Sequence, residues 1–271
     1  MTKTIISRIL LFLFTLTLCG CNLQRNMLYY PGTYLPSQEA LAAHHLQFWP
    51  SGPDEYRGFV STAPAGNSKG TIVVFHGNAG TAADRVFYVD ALAPLGYRVI
   101  LAEYPGYGGR KGKPKEEVLV SDAQETVRLA AEKYNGPLFV LGESLGCGVV
   151  AAAAKGSPVR IDGMILITPW DTLLSVAKEH FPWLPARLLL RDEYDSIGNL
   201  KAYQGRIAVI GAEQDVTVPL RHAQALFASL PGEKKMWTIK GAGHNDWPDR
   251  VEFTWWQELA AFMEGKPAKK Y

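Results

Sequence analysis

Cysteine is scarce in this chain. Its 271 residues hold three, Cys19, Cys21 and Cys147. That is too few for a disulfide scaffold, and no C-x-x-C pair offers a zinc or dithiol site. An excess of one charge is also missing. Lys and Arg number 28 against 26 Asp and Glu, a formal net charge of +2. No basic stripe with interleaved aromatics runs through the sequence, so nucleic acid is not an expected partner. There is no Walker A loop and no H-E-x-x-H helix; neither a cofactor nor a metal is expected. Repeats and low-complexity linkers are absent. The apolar N-terminal run "ILLFLFTLTL" (9–18) falls short of the ~20 residues that span a bilayer comfortably. What remains is ordinary globular composition, 47% hydrophobic and 20% charged, in a length suited to one domain with a large core.

The N-terminus reads as an addressing segment, separate from the fold. Lys3 and Arg8 precede the apolar run, and small residues follow it, the pattern of a secretory signal. The run closes on Leu18-Cys19-Gly20-Cys21, which resembles a bacterial lipobox. That resemblance implies cleavage after Gly20 and a lipidated Cys21, acylated with chains such as palmitate, at the head of the mature protein. The competing reading is an uncleaved anchor helix. Removing residues 1–20 deletes Lys3, Arg8 and Cys19, leaving 28 − 2 = 26 basic residues against 26 acidic. Membrane attachment would then rest on acyl chains and not on a cationic surface; several chains anchor stably where one is marginal. By the sorting rule that the lipobox resemblance implies, Asn22 after Cys21, in place of Asp, leans toward the outer membrane, facing the periplasm.

From about residue 55 the pattern alternates strands and helices. "TIVVFHG" (71–77), "YRVILAEYPG" (97–106), "PLFVLG" (137–142), "IDGMILIT" (161–168), "RIAVIG" (206–211) and "KKMWTIK" (234–240) read as strands. Helical spacing fills 83–96, 115–134 and 145–155, with further helices near 219–230 and 249–264. Continuous apolar strands with helices between them predict an α/β fold: a mostly parallel sheet covered on both faces. "HLQFWP" and "YRGFVSTA" could add an antiparallel edge. The expected organisation is a signal peptide (1–20), an N-terminal segment and linker (21–54), the main domain (55–264) and a tail (265–271). Between the strands ending near Thr168 and starting near Arg206 the connection exceeds ordinary loop length. Its residues 181–195, "FPWLPARLLLRDEYD", suggest a small cap at about 170–200, with an ordinary crossover helix as the alternative.

Within "FVLGESLGCGVV" (139–150) lies the pattern Gly142-Glu143-Ser144-Leu145-Gly146. It follows a strand and opens a helix, the setting of a nucleophile elbow. Glycine at the −2 and +2 positions suits a sharp turn across which bulkier residues would collide. Serine is a poor nucleophile unaided and needs a base. His244, in "KGAGHNDW" after the last strand, falls last in chain order, as the motif requires. His222 sits on a helix and reads as a surface residue. His76 precedes the serine and reads as structural. The acid that orients the base is Asp215, in "GAEQDVTVP", with Asp171, Asp195 and Glu213 as competitors. The oxyanion would take the backbone N–H of Leu145 and that of Asn78, with Ala79 as second choice for the latter. Cys147 reads as buried and inert. Arg110, Lys111, Lys113 and Lys115 read as a solvated loop.

Taken together, "VVFHGNAGTAADR", "LAEYPGYGGR", "GESLG", "TPW", "GAEQDVTVP" and "GAGHNDW" resemble the alpha/beta-hydrolase superfamily over roughly residues 27–264. The pairing of "HGNAG" with "YPGYG" is similar to the branch that cleaves lipid or protein-acyl esters. One departure is Glu103, where that branch often carries Asp; it reads as structural. The resemblance implies the alpha/beta-hydrolase fold and a membrane-anchored serine hydrolase acting on a small-molecule or lipid acyl ester, as a monomer. The insertion, with Tyr107, Trp170 and Trp247, suggests an acyl or aromatic substrate group. Amide or peptide hydrolysis by the same residues is a second reading, and a non-catalytic envelope binding module a third. Fold alone does not choose among them.

Overall fold

The computed structural model of the protein describes residues 24–62 and 68–266. The signal segment and Cys21 lie outside the described residues, as does the tail from residue 267. An eight-stranded sheet forms the centre. In chain order its strands are β2 (Leu46–Trp49), β3 (Gly58–Ser61), β4 (Thr71–Phe75), β6 (Arg98–Ala102), β7 (Leu138–Glu143), β8 (Gly163–Ile167), β9 (Arg206–Ala212) and β10 (Lys234–Ile239). In space they run β10-β9-β8-β7-β4-β6-β3-β2. All neighbours from β10 to β6 are parallel, while β3 pairs antiparallel with both β6 and β2. The expected mostly parallel sheet with an antiparallel edge is therefore present. A separate two-stranded parallel pair joins β1 (Tyr30–Pro31) to β5 (Ala79–Gly80).

Each strand alternates its side chains between two cores, as a period of two requires. On β4, Val73 and Phe75 face one cluster and Ile72 and Val74 the other. After α1 (Gln38–Ala43) and α2 (Phe87–Leu92) come α3 (Glu116–Lys133) and α4 (Leu145–Lys155). The first core receives Leu119, Ala123 and Val127 of α3 and Val149 and Val150 of α4. The second receives Tyr88 and Leu92 of α2. Helices thus cover both faces, which is why the strands read as continuous apolar runs.

The N-terminal segment does more than link. The edge expected from "HLQFWP" is β2, within the segment 21–54 set apart from the main domain, and Trp49 is fully buried in the first core. Tyr29 is also part of that core, its hydroxyl donating to Asp192 Oδ2 at 2.8 Å and meeting Tyr194 at 2.9 Å. These contacts make residues 28–49 part of the folded unit.

The insertion holds three short helices. Between β8 and β9 stand α5 (Leu173–His180), α6 (Ala186–Leu189) and α7 (Ser196–Leu200). The last is the crossover helix: Ser196 and Leu200 are fully buried, and Leu200 joins the first core. The first two form the cap. A single antiparallel bridge, Thr172 to Asp195, closes the cap at its base, and the Asp195 carboxylate caps α7 by accepting from Gly198 N. The remaining helices, α8 (Leu220–Ser229) and α9 (Phe253–Met263), flank β9 and follow β10. Among the described residues no helix is long and apolar enough to cross a membrane.

Candidate active site

The chain starts the parallel sheet in its middle. From β4 it moves one way to β6, then returns past β4 to β7 and onward. The loops after β4 and β7 therefore diverge at a switch point, where an open α/β sheet has a crevice at the carboxyl ends of its strands. The register Phe75↔Gly142 sets these two loops side by side. One carries Gly77 and Asn78, the other Ser144.

Ser144 has φ 52° and ψ −113°, a left-handed and strained conformation for a residue with a side chain. It is held by its own N–H donating to Ile167 O at 2.9 Å and its carbonyl accepting from Cys147 N at 2.9 Å. The two glycines serve the turn for different reasons. A Cβ on Gly142 would stand 2.5 Å from the carbonyl oxygen of Gly146, a collision across the turn. A Cβ on Gly146 would overlap the Phe75 carbonyl on β4, so this glycine lets α4 press against the neighbouring strand.

The glutamate inside the motif is anchored. Glu143 accepts from Arg85 Nη2 at 2.9 Å and from the Tyr88 hydroxyl at 2.9 Å, in a pocket that leaves both ionic partners mostly buried. Cys147, one turn into α4, donates to Gly142 O and Ile167 O at 3.1 and 3.2 Å. Burial pushes its thiol well above the ordinary cysteine range, which disfavours the reactive thiolate.

His244 stands with Nε2 at 2.9 Å from Ser144 Oγ and Nδ1 at 2.6 Å from Asp215 Oδ2. The other oxygen of Asp215 accepts from Thr217 N and Val218 N, each at 2.8 Å. Two backbone donors thus lock the carboxylate, and the carboxylate in turn draws the imidazole proton to Nδ1. Nε2 is left to accept from the serine hydroxyl. Of the competing acids, Glu213 accepts from Gly241 N and Asp195 caps α7. Asp171 meets a different histidine: His222 Nδ1 lies 2.8 Å from Asp171 Oδ1, and its Nε2 lies 3.0 Å from Glu179 Oε2.

His222 is thus not the surface residue its helix suggested. It is 5% exposed and ties α8 to the cap helix α5 between two carboxylates. His76 and Glu103 are likewise a buried pair, 2.9 Å apart, with His76 Nδ1 donating to Gly77 O at 2.7 Å. Glu103 also accepts from Ala82 N at 2.9 Å. Together they brace the loop that carries Asn78.

Above Ser144 opens a cavity of about 580 Å³, within the range of small-ligand sites. Asn78, Leu145 and His244 line it beside the serine. Its apolar walls come from the cap (Leu173, Val176, Phe181, Leu184, Leu189) and from Trp170. Tyr107 and Trp247, expected to face a substrate, do not. Tyr107 is fully buried and its hydroxyl donates to Asn78 O at 2.9 Å. Trp247 is packed among Tyr88, Trp255 and Trp256. Four other lining residues escaped the sequence reading: Gln24, Met27, Leu28 and Tyr30. They are placed by Tyr30 N donating to Asn78 O at 2.9 Å, Asn78 Nδ2 donating to Leu28 O at 2.9 Å, and Arg191 N donating to Gln24 Oε1 at 2.7 Å. A two-residue strand carries no hydrophobic period, so nothing in the local sequence marked it.

With fold and geometry in place, comparison with known proteins gives the class. The serine aminopeptidase S33 hydrolase family model matches residues 66–191. An uncharacterized protein of Mycobacterium tuberculosis, Rv2307c, is 32% identical over 229 residues, covering 82% of this chain and 81% of that one. The lysophosphatidylserine lipase ABHD12 of Danio rerio is 28% identical over 182 residues, 59% of this chain and 47% of its own length. Among solved structures, the Pyrococcus furiosus esterase Pf2001 superposes with a TM-score of 0.63 at 15% identity, over 88% of this chain and 97% of that one. The chain belongs to the alpha/beta-hydrolase superfamily.

Proposed function

We propose that the protein is a serine hydrolase of acyl esters, tethered to a membrane through a lipidated Cys21 and working as a monomer at the periplasmic side of the cell envelope. The observation that carries the chemistry is the unbroken line Ser144 Oγ, His244 Nε2, His244 Nδ1, Asp215 Oδ2, with hydrogen bonds of 2.9 and 2.6 Å. In this reading His244 takes the serine proton as Oγ attacks the acyl carbonyl carbon. Asp215 holds the resulting imidazolium. The N–H groups of Asn78 and Leu145 take the oxyanion, a contribution worth ~3 kcal/mol per donor in comparable sites. His244 then protonates the departing alcohol, and water, activated the same way, releases the acid from Ser144.

The pocket favours an acyl ester over a peptide. An aminopeptidase must balance a substrate ammonium, and buried charges need a partner. No Asp or Glu lines this cavity among the described residues, whereas aliphatic and aromatic side chains do. A lysophospholipid-type ester, the substrate class in the name of the Danio rerio relative, matches such a wall. The intact line of serine, histidine and aspartate argues against a non-catalytic binding module.

A fluorophosphonate probe should label wild type and not Ser144→Ala. A series of p-nitrophenyl esters of rising chain length should be hydrolysed with a preference for medium or long acyl groups. Equal labelling of both proteins would refute the nucleophile; amide turnover exceeding ester turnover would refute the substrate class. Metabolic lipid labelling that is unchanged in Cys21→Ser would reject the anchor.

A further inference from the structure

The described residues expose eight large hydrophobic side chains; three of them line the cavity above Ser144 and two more stand on the cap beside it. Met27, Tyr30 and Val216 line the mouth of the cavity above Ser144. Trp183 and Leu188 stand on the outer surface of the cap. Leu188 lies within α6 between the lining residues Ala186 and Leu189, and the Trp183 ring packs edge-on to the lining residue Phe181 at 6.5 Å. Trp183, Leu188 and Val216 are 76%, 84% and 80% exposed. Nearly complete exposure of three such residues, one at the cavity wall and two on the cap, is costly in water, and exposed apolar surface of this kind marks interaction sites.

The cavity mouth is also where the described chain begins. Gln24 lines the cavity and is held there by Arg191 N. Cys21 precedes it by three residues, a reach of at most about 11 Å. An acyl-anchored Cys21 therefore keeps the cavity mouth within that distance of the bilayer. An uncleaved anchor ending near Leu18 would keep it almost as close. A tether this short excludes orientations that turn the mouth into bulk water.

We infer that the rim formed by Met27, Tyr30, Trp183, Leu188 and Val216 is a bilayer-docking surface, so that the cavity over Ser144 opens onto phospholipid and receives its acyl substrate from the membrane without passage through water. The inference rests on the anchored ester hydrolase of the preceding section and adds to it the orientation and the source of substrate. The apolar cap residues enter the acyl region of the near leaflet. Trp183 suits the boundary between headgroups and chains, where an amphipathic ring is favoured.

The test uses the full lipidated protein in proteoliposomes of phosphatidylethanolamine and phosphatidylglycerol. Cys147 is buried and Cys21 acylated, so a single introduced cysteine can carry an environment-sensitive dye. Leu188→Cys reports on the rim. Asn135→Cys, exposed before β7 at the opposite end of the strands, is the reference. Nitroxide-bearing phospholipids should quench the Leu188 dye at least fivefold more than the Asn135 dye. In a second arm, the double variant Trp183→Ser with Leu188→Ser should keep its turnover of a water-soluble short-chain ester. Its turnover of a long-chain ester held in the vesicle should fall about tenfold. Flotation with vesicles and fluorophosphonate labelling of Ser144 are measured on the same samples. If the protein floats and labels but both dyes are quenched alike, or neither is, the docking surface is refuted while the hydrolase reading stands. A Leu188 dye that is shielded from water yet untouched by nitroxide lipid means a protein partner or a second copy covers the rim, and also refutes it. If the protein does not float, the anchor falls and the docking surface with it.

Discussion

Asp215→Asn isolates what the carboxylate does, because it changes charge and hydrogen-bonding sense while preserving shape. One oxygen of Asp215 accepts from Thr217 N and Val218 N, each at 2.8 Å. In the variant these two donors demand the amide oxygen on their side. The amide nitrogen must then face His244 Nδ1 at the position now 2.6 Å away. It presents hydrogens there, so Nδ1 has to accept and the ring proton moves to Nε2. An Nε2–H cannot accept from Ser144, and the general base is lost although every heavy atom stays in place. Loss of the correct tautomer in sites of this kind costs about 10⁴ in kcat, equivalent to ~5.5 kcal/mol of transition-state stabilisation. The matching control is Asp171→Asn, which also faces a histidine but one that ties helix to cap. It should keep kcat within about threefold. The assay is kcat for a p-nitrophenyl ester, with thermal unfolding run on both variants to establish that they fold. An Asp215→Asn enzyme retaining a tenth or more of wild-type kcat, or an Asp171→Asn enzyme losing more than Asp215→Asn, would refute this assignment.

Three further outcomes follow from the packing. Gly146→Ala places a methyl group against the Phe75 carbonyl on β4; neither backbone can yield cheaply, so a loss of ~3 kcal/mol or more is expected, read as a drop in the denaturant midpoint. Cys147 should resist alkylation by iodoacetamide in the native protein and react only when denaturant opens the core, since burial raises its thiol and its Sγ is enclosed by Gly142 and Ile167; fast native labelling would contradict this. His222→Leu removes one partner each from Asp171 and Glu179, which keep Ser175 and Arg221, and should destabilise the fold by roughly 2 kcal/mol. Because His222 joins α8 to α5, limited proteolysis should then cut first within residues 181–195.

Much of the molecule was legible because its signals are local. The strands at 71–75, 98–102, 138–143, 163–167 and 206–212 announce themselves as buried apolar runs between helical patterns, while 234–239 is an edge strand and mostly half-buried. The elbow is legible because glycine on both sides of a serine, after a strand and before a helix, has few other uses. Asp215 and His244 were singled out by lying on loops after successive strands, and the structure brings both to Ser144. Local signals failed where a side chain's fate depends on a distant neighbour. His222 lies on an amphipathic helix and reads as solvent-facing until Asp171, just before α5, and Glu179, on α5, meet it. Tyr107 and Trp247 are aromatic and near the motifs, yet their partners are the Asn78 carbonyl and a tryptophan cluster. The insertion read as cap or crossover because its two parts do different jobs, and only the Thr172–Asp195 bridge marks where one ends.

The sequence by itself determined the fold class, the strand-turn-helix around Ser144 and the chain order of Ser144, Asp215 and His244, because periodicity, glycine placement and post-strand loops act over a few residues. Tertiary structure alone decided which side chains enclose the cavity above Ser144. The wall of the cavity is assembled from the N-terminal segment at 24–30, the cap at 173–190 and the loops at 78, 144, 216 and 244, which meet only because the sheet places β4 and β7 side by side. Cavity shape is a property of those long-range contacts, and no window of sequence contains it.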